Sequence, residues 1–288
     1  MRNLFYHLCI FVFFVTFVQA QNEFIRFDNF STIDGLSVSV TYDFVEDKDG
    51  YMWIATQDGL NRFDGKTFKT YYSDGTDNTI LDNSIRNLDI DNAGNIWIAY
   101  TNDLGVTKLN TRTETFESYR HDPEKPTSLS NDRIYGFIQD NIGNFWVATR
   151  NGTSKYNPST NSFKRYNYVE KAADRILFLS FEVDDSDILW AGTTKGLYFY
   201  DSSSDIFRKI EPEKGYELSN QTVVSLTSID KDKIWVHTFD GKINIFNKNN
   251  QRYYNADKGA NFLKKFPAIR AQEVISMDIV FKRDHNVW

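Results

Sequence analysis

Asp49-Gly50-Tyr51-Met52-Trp53-Ile54-Ala55-Thr56 returns in altered form four times along the chain. It reappears as Ala93-Gly94-Asn95-Ile96-Trp97-Ile98-Ala99-Tyr100 and as Ile142-Gly143-Asn144-Phe145-Trp146-Val147-Ala148-Thr149. Ser186-Asp187-Ile188-Leu189-Trp190-Ala191-Gly192-Thr193 and Asp232-Lys233-Ile234-Trp235-Val236-His237-Thr238 follow, and Asn286-Val287-Trp288 begins the phrase again. The chain has six tryptophans and all six occupy this slot, at successive spacings of 44, 49, 44, 45 and 53 residues. Self-similarity at such a period marks a repeat architecture.

Working outward from the tryptophan, each unit reads as four short strands. Before it lies an alternating apolar segment, such as Ile85–Ile90 or Ile134–Ile138. After it come a glycine turn and a third segment, Gly59–Phe63, Gly152–Tyr156, Gly196–Tyr200 or Gly241–Ile245. A fourth closes the unit, as in Phe68–Tyr71, Phe116–Tyr119 and Phe163–Tyr166. Four strands in about 45 residues is the size of a propeller blade. The expected fold is therefore all-β, a propeller of about five complete blades plus part of a sixth. Side chains alternate faces along a strand, so the residue two after each tryptophan shares its face. That residue is Ala55, Ala99, Ala148 or Gly192, with His237 as the exception. A large indole beside a small residue lets neighbouring sheets interlock. Burying one indole removes roughly 150–250 Å² from water, about 4–6 kcal/mol as an upper bound.

The ends carry further expectations. Arg2, the apolar run Leu8–Val18 and Val18-Gln19-Ala20 have the order of a secretory signal peptide, cleaved after Ala20. Eleven apolar residues are too few to cross a bilayer, and Cys9 sits too far upstream of the cut to carry a lipid. Residues 21–288 then form the propeller, an exported segment making no membrane contact. Its core must hold it without disulfides, because the one cysteine is Cys9. Phe24–Phe27 resembles a fourth strand without its first three, and the repeat stops at Trp288, so the ring is expected to be incomplete and to belong to a longer protein.

A formal charge of −6, with no Lys/Arg-rich block, argues against a nucleic-acid-binding surface. The segment after Ala20 has no cysteine nucleophile, no Gly-x-Ser-x-Gly elbow and no phosphate-binding Gly-x-x-x-x-Gly-Lys loop. His121, His237 and His285 lack metal-ligand spacing, and Asp47/Asp49 and Asp89/Asp91 fail the positions of a calcium loop. These stretches read as hairpin turns, and the 39 acids, which could by count include a glycoside-hydrolase carboxylate pair, fall mostly in turns and read as solvated loop residues. No catalytic residue, metal or cofactor is assigned. The turns between second and third strands carry Gln57, Asp58, Asn102, Asp103, Arg150, Asn151, Lys195 and Asp240, and they vary while the framework repeats. They share an end of the propeller with the connections Asp74–Asn83 and Arg120–Asn131, which suits a site grafted onto a scaffold. Gln57, Asp103, Arg150, Lys195 and Asp240 are the ligand-binding candidates.

Asp34-Gly35-Leu36-Ser37, then Glu46 to Thr56, then Asp58-Gly59-Leu60-Asn61-Arg62-Phe63-Asp64-Gly65, together with Asp122 to Asn131, resemble two-component-regulator propeller repeats. Such repeats form the periplasmic sensor region of bacterial hybrid two-component systems, where related propellers respond to glycans. The resemblance implies an inner-membrane-anchored receptor with two propellers, an immunoglobulin-like domain, a membrane helix and a kinase; of these, only propeller repeats are read here. It implies an oligosaccharide ligand, and as partners the rest of the same polypeptide and a second copy in a homodimer. The alternatives are an exported propeller enzyme acting on polysaccharide, a lyase or hydrolase, and a protein-interaction scaffold.

Overall fold

The computed structural model describes residues 28–255, apart from 77, 167, 168, 170, 172 and 174, together with 282, 283, 286 and 287. The signal-peptide segment, Phe24–Phe27, the connection Ala256–Arg270, His285 and Trp288 lie outside the described residues.

Five four-stranded antiparallel sheets follow one another, each with its strands in chain order. The first blade is β1 (Thr41–Glu46), β2 (Met52–Thr56), β3 (Leu60–Phe63) and β4 (Phe68–Tyr71). The second is β5 (Ile85–Ile90), β6 (Asn95–Tyr100), β7 (Val106–Asn110) and β8 (Thr115–Tyr119). The third is β9 (Ile134–Gln139), β10 (Phe145–Thr149), β11 (Gly152–Asn157) and β12 (Ser162–Tyr166). The fourth is β13 (Phe178–Val183), β14 (Leu189–Thr193), β15 (Gly196–Asp201) and β16 (Ile206–Lys209). The fifth is β17 (Val223–Asp230), β18 (Lys233–Thr238), β19 (Ile243–Asn247) and β20 (Arg252–Asn255). A short pair, β21 (Lys282–Arg283) and β22 (Asn286–Val287), lies beyond them in sequence. Five tryptophans fall in second strands, as the repeat predicts. Among the described residues no helix is long and apolar enough to cross a membrane.

Packing explains why the slot needs an indole. Trp53, Ala55 and Leu60 of the first blade pack with Ile80, Ile85, Leu88, Ile96 and Ile98 of the second. Trp97, Ala99 and Val106 meet Ile134, Phe145 and Val147 of the third blade. Trp146 and Ala148 meet Phe178, Leu189 and Ala191, and Trp190 and Leu197 meet Val223, Ile234 and Val236. The core is thus a series of inter-blade wedges rather than one central mass. The smallness of the neighbouring residue is steric. A Cβ added at Gly192 would collide with Ser180 Oγ and lie 2.7 Å from Val223 Cγ1 and 3.1 Å from the Val223 carbonyl of the next blade. First strands are successive neighbours, β1 beside β5, β5 beside β9, β9 beside β13 and β13 beside β17, so they form the inner wall.

Candidate functional site

Antiparallel order puts the 1–2 and 3–4 hairpins at one end of every blade, and the 2–3 turns and blade-to-blade connections at the other. The hairpin end is built for cohesion. An aspartate stands six residues before each of the first four tryptophans, and its carboxylate accepts the indole N–H. The distances are 2.7 Å for Asp47–Trp53, 2.9 Å for Asp91–Trp97, 3.0 Å for Asp140–Trp146 and 2.8 Å for Asp184–Trp190. The same aspartates accept backbone N–H groups of their own hairpin, as Asp47 does from Asp49 and Tyr51. The hairpin reading of Asp47 and Asp91 holds, but the expectation that the carboxylates in these turns are solvated is corrected. Asp47, Asp140 and Asp184 are 7%, 5% and 2% exposed, because the carboxylate must turn inward to reach the indole. Blade five has a hairpin one residue shorter and lacks the aspartate at that spacing. Trp235 Nε1 is buried there with no acceptor among the described residues.

Beside the indole runs a second inter-blade device. Arg62, Lys108 and Lys155, each paired across the sheet with a tryptophan, hold their cations 5.8, 5.9 and 5.2 Å from the indole centroids. The fourth-strand tyrosines then reach the next blade: Tyr71 donates to Glu114 Oε1 at 3.1 Å, Tyr119 to Asn161 Oδ1 at 2.6 Å and Tyr166 to Asp205 Oδ1 at 2.7 Å. Each acceptor sits in a 3–4 hairpin at a positive φ of 51°, 49° or 55°, a conformation polar residues tolerate better than bulky ones. Lys69, Tyr71 and Arg62 hold the Glu114 carboxyl below its ordinary range against the opposing effect of burial. Burial, then the bond to Asp205, pushes the Tyr166 phenol up. Between blades four and five Phe199, Ile210 and Gln251 occupy these positions, and Lys248 instead pairs with the buried Asp184 at 2.8 Å.

A cleft of about 490 Å³ opens at this end between blades two and three, lined by Asp91, Lys108, Glu117, Gln139, Phe145 and Tyr156 among others. Its central polar groups are committed to one another. Lys108 donates to Tyr119 and Tyr156 and pairs with Glu117, and Asn161 donates to Glu117. The cleft is therefore part of the latch. Among the described residues there is no group of three or more His, Cys, Asp or Glu suited to hold a metal ion.

The opposite end has a buried polar floor and free tips. Ser37, Ser130 and Ser219, which open blades one, three and five, meet the hydroxyls of Thr56, Thr149 and Thr238 at 3.0, 2.8 and 2.9 Å. Turns and connections are sewn together by backbone bonds, from Gln57 to Val40, Thr101 to Ser84, Arg150 to Arg133, Thr194 to Leu177 and Phe239 to Thr222. All five candidate residues, Gln57, Asp103, Arg150, Lys195 and Asp240, lie at this end. They differ in freedom. Asp240 accepts the Thr238 hydroxyl at 2.6 Å and so closes its own turn, while Asp103 lies 3.9 Å from Arg133 Nε. Asn151 is buried and bonded in both directions to Val169, so it is a tie and not a free tip. Asp58 and Asp82 accept the amides of Asn83 and Asn102. The side chains of Gln57, Arg150 and Lys195 are exposed. His121 Nδ1 lies 2.7 Å from the Leu129 carbonyl and so tethers its connection.

The family described as two component regulator propeller matches residues 35–58 and 128–151, each running from the opening Leu-Ser through the tryptophan strand into the 2–3 turn. Histidine kinase P4 of Formosa agariphila is 43% identical over 82 residues, which are 28% of this chain and 6% of that protein. The extracellular domain of a hybrid two component system of B. thetaiotaomicron is 23% identical, aligned over 81% of this chain and 37% of its own, with a TM-score of 0.48. The chain thus spans well under two thirds of either relative. Virginiamycin B lyase from Staphylococcus aureus is 13% identical over 77% of this chain and 71% of its own, with a TM-score of 0.55, a likeness of fold. The five sheets describe a β-propeller, and two stretches of it, residues 35–58 in the first blade and 128–151 in the third, match two component regulator propeller repeats.

Proposed function

We propose that this propeller is the ligand-binding region of a two-component signal-transduction receptor, exported to the periplasm by residues 1–20, and that it responds to an oligosaccharide. The observation that carries the reading is the identity of the matched repeats, seen both in the family match and in the segment shared with a histidine kinase. The division of labour between the two ends supports it, since recognition belongs on variable loops held by a rigid scaffold. The region acts by binding, and its partners are the remainder of the receptor polypeptide and a second copy of the receptor.

Calorimetric titration of the full chain against a panel of defined oligosaccharides, with chromatography of the mixtures afterwards, tests this. The expected result is saturable binding with every sugar recovered intact. Cleaved product would replace the sensor with an enzyme, and absence of binding across the panel would leave a scaffold. Export is checked separately by sequencing the N-terminus of periplasmic protein, which should begin at Gln21.

A further inference from the structure

The first strand of each of the five described blades contains one residue too many. Opposite the adjacent pair Thr56 and Ala55, β1 places Thr41 and Asp43, leaving Tyr42 unmatched. The same shift leaves out Arg86 in β5, Tyr135 in β9, Leu179 in β13 and Val224 in β17. Each stands eleven residues before its tryptophan, so the bulge belongs to the repeat. A bulge bends its strand and re-aims one side chain, and bulges gather at barrel rims and binding sites. Here the five bulges lie at the turn-and-connection end of the inner strands, and so ring the mouth of the propeller.

The residue just before each bulge, Ile85, Ile134, Phe178 or Val223 in blades two to five, is buried and apolar. The bulge residue itself ranges over Tyr, Arg, Leu and Val. The framework dictates the one and leaves the other open. Over blades one to three these positions carry two phenols and a guanidinium, of which the Tyr135 ring is half-buried against the core between blades three and four. Tyr42 is 48% exposed and Arg86 is exposed. Arg133 lies with its guanidinium carbon 5.8 Å from the centre of the Tyr135 ring, and its carbonyl accepts the N–H of exposed Arg150 at 3.0 Å. The side chains of Arg86 and Arg150 have neither an ion-pair nor a hydrogen-bond partner among the described residues. Asp58 and Asp82 are already engaged by Asn83 and Asn102. Arg133 also lies 3.9 Å from Asp103, so of these cations at the mouth Arg86 and Arg150 are the ones that no ion pair engages among the described residues.

We propose that Tyr42, Arg86 and Tyr135, with Arg133 and Arg150, form the specificity subsite and that it takes an anionic oligosaccharide. The guanidinium groups would pair bidentately with carboxylate or sulfate oxygens, and the exposed Tyr42 ring would cover the apolar face of a sugar ring, with the half-buried Tyr135 forming the wall beside it. This rests on the saccharide reading above, and the test separates the two. The full chain is titrated at low and high salt with hexagalacturonate, a sulfated chondroitin hexasaccharide and neutral maltohexaose, the first two distinguishing carboxylate from sulfate. At least one anionic probe should bind tenfold or more tighter than maltohexaose and should weaken with salt. Arg86→Gln and Arg150→Gln should each lose about tenfold in affinity for that probe, whereas Lys66→Gln at the hairpin end should change nothing. Maltohexaose bound as tightly as the anions, indifferent to Arg86→Gln, overturns this inference and leaves the saccharide reading standing. No binding of either anionic probe overturns this inference, and only absence of binding across the wider oligosaccharide panel overturns the saccharide reading with it.

Discussion

The two ends of this propeller are made from the same repeats and spend their polar residues differently. At the hairpin end the charges beside the tryptophans have structural partners: carboxylates clamp indoles, tyrosines latch blade to blade and cations lie over rings. At the turn end the polar floor is equally committed, but Gln57, Arg86, Arg150 and Lys195 stand exposed above it. A closed network stabilises and is intolerant of change, while free tips contribute little stability and are open to variation. One end holds the blades; the other is left to recognise.

The comparison is broken most severely at Lys248. Its partner Asp184 has a fully buried side chain, so Lys248→Met strands a charge and should cost about 3–5 kcal/mol in urea unfolding. Burial alone would raise the Asp184 pKa, but the bonds from Lys248, Trp190 and two backbone N–H groups outweigh it and hold the carboxyl below its ordinary range. A depressed folded pKa contributes stability above the unfolded value of about 3.9, and that stability is lost as pH falls through the folded value. Acid unfolding of Lys248→Met should therefore begin at higher pH than that of the parent protein.

Next in size is the indole clamp. Trp97→Phe gives up a bond to a carboxylate, whereas Trp235→Phe gives up none among the described residues. The first should be the more destabilising by roughly 1.5–3 kcal/mol, the range for a hydrogen bond to a charged group. Equal losses would show that the bond to Asp91 does not matter. Gly192→Ala should cost about 1–3 kcal/mol by overpacking against Ser180 and Val223. Tyr166→Phe removes one of the latch bonds to Asp205, a half-exposed carboxylate that keeps Tyr200 and Lys164, and should cost about 1 kcal/mol. Smallest of all, Arg150→Gln at the turn end should stay within about 0.5 kcal/mol of the parent in the same denaturation series.

Much of this was legible before any coordinates. The strands predicted at Phe68–Tyr71 and Ile85–Ile90 are β4 and β5 to the residue, because the apolar alternation and the glycine turns agree there. The indole beside a small residue was readable as an inter-blade wedge for the same reason. The clamp was not, although its signal was present as an aspartate six residues before four of the tryptophans. Aspartate is also a favoured turn former, so its local role masked its tertiary one. The latch pairs residues 39 to 43 apart across two blades, a distance at which no local pattern points to a partner. The bulge was hidden because one extra residue alters register without altering composition. Among the site candidates the end of the fold was predictable, but not which tips are tied down. Asp240 and Asn151 look as free in sequence as Arg150, and only their turn geometry commits them.

The account turns on which end of the propeller meets the ligand, and hydrogen–deuterium exchange of the full chain with and without saturating hexagalacturonate measures that directly. Slower exchange should appear in the bulge segments around Tyr42, Arg86 and Tyr135 and in the turns after Thr56 and Thr149, with the hairpins around Glu114, Asn161 and Asp205 unchanged. Protection centred on those hairpins, with the mouth unaffected, would contradict it.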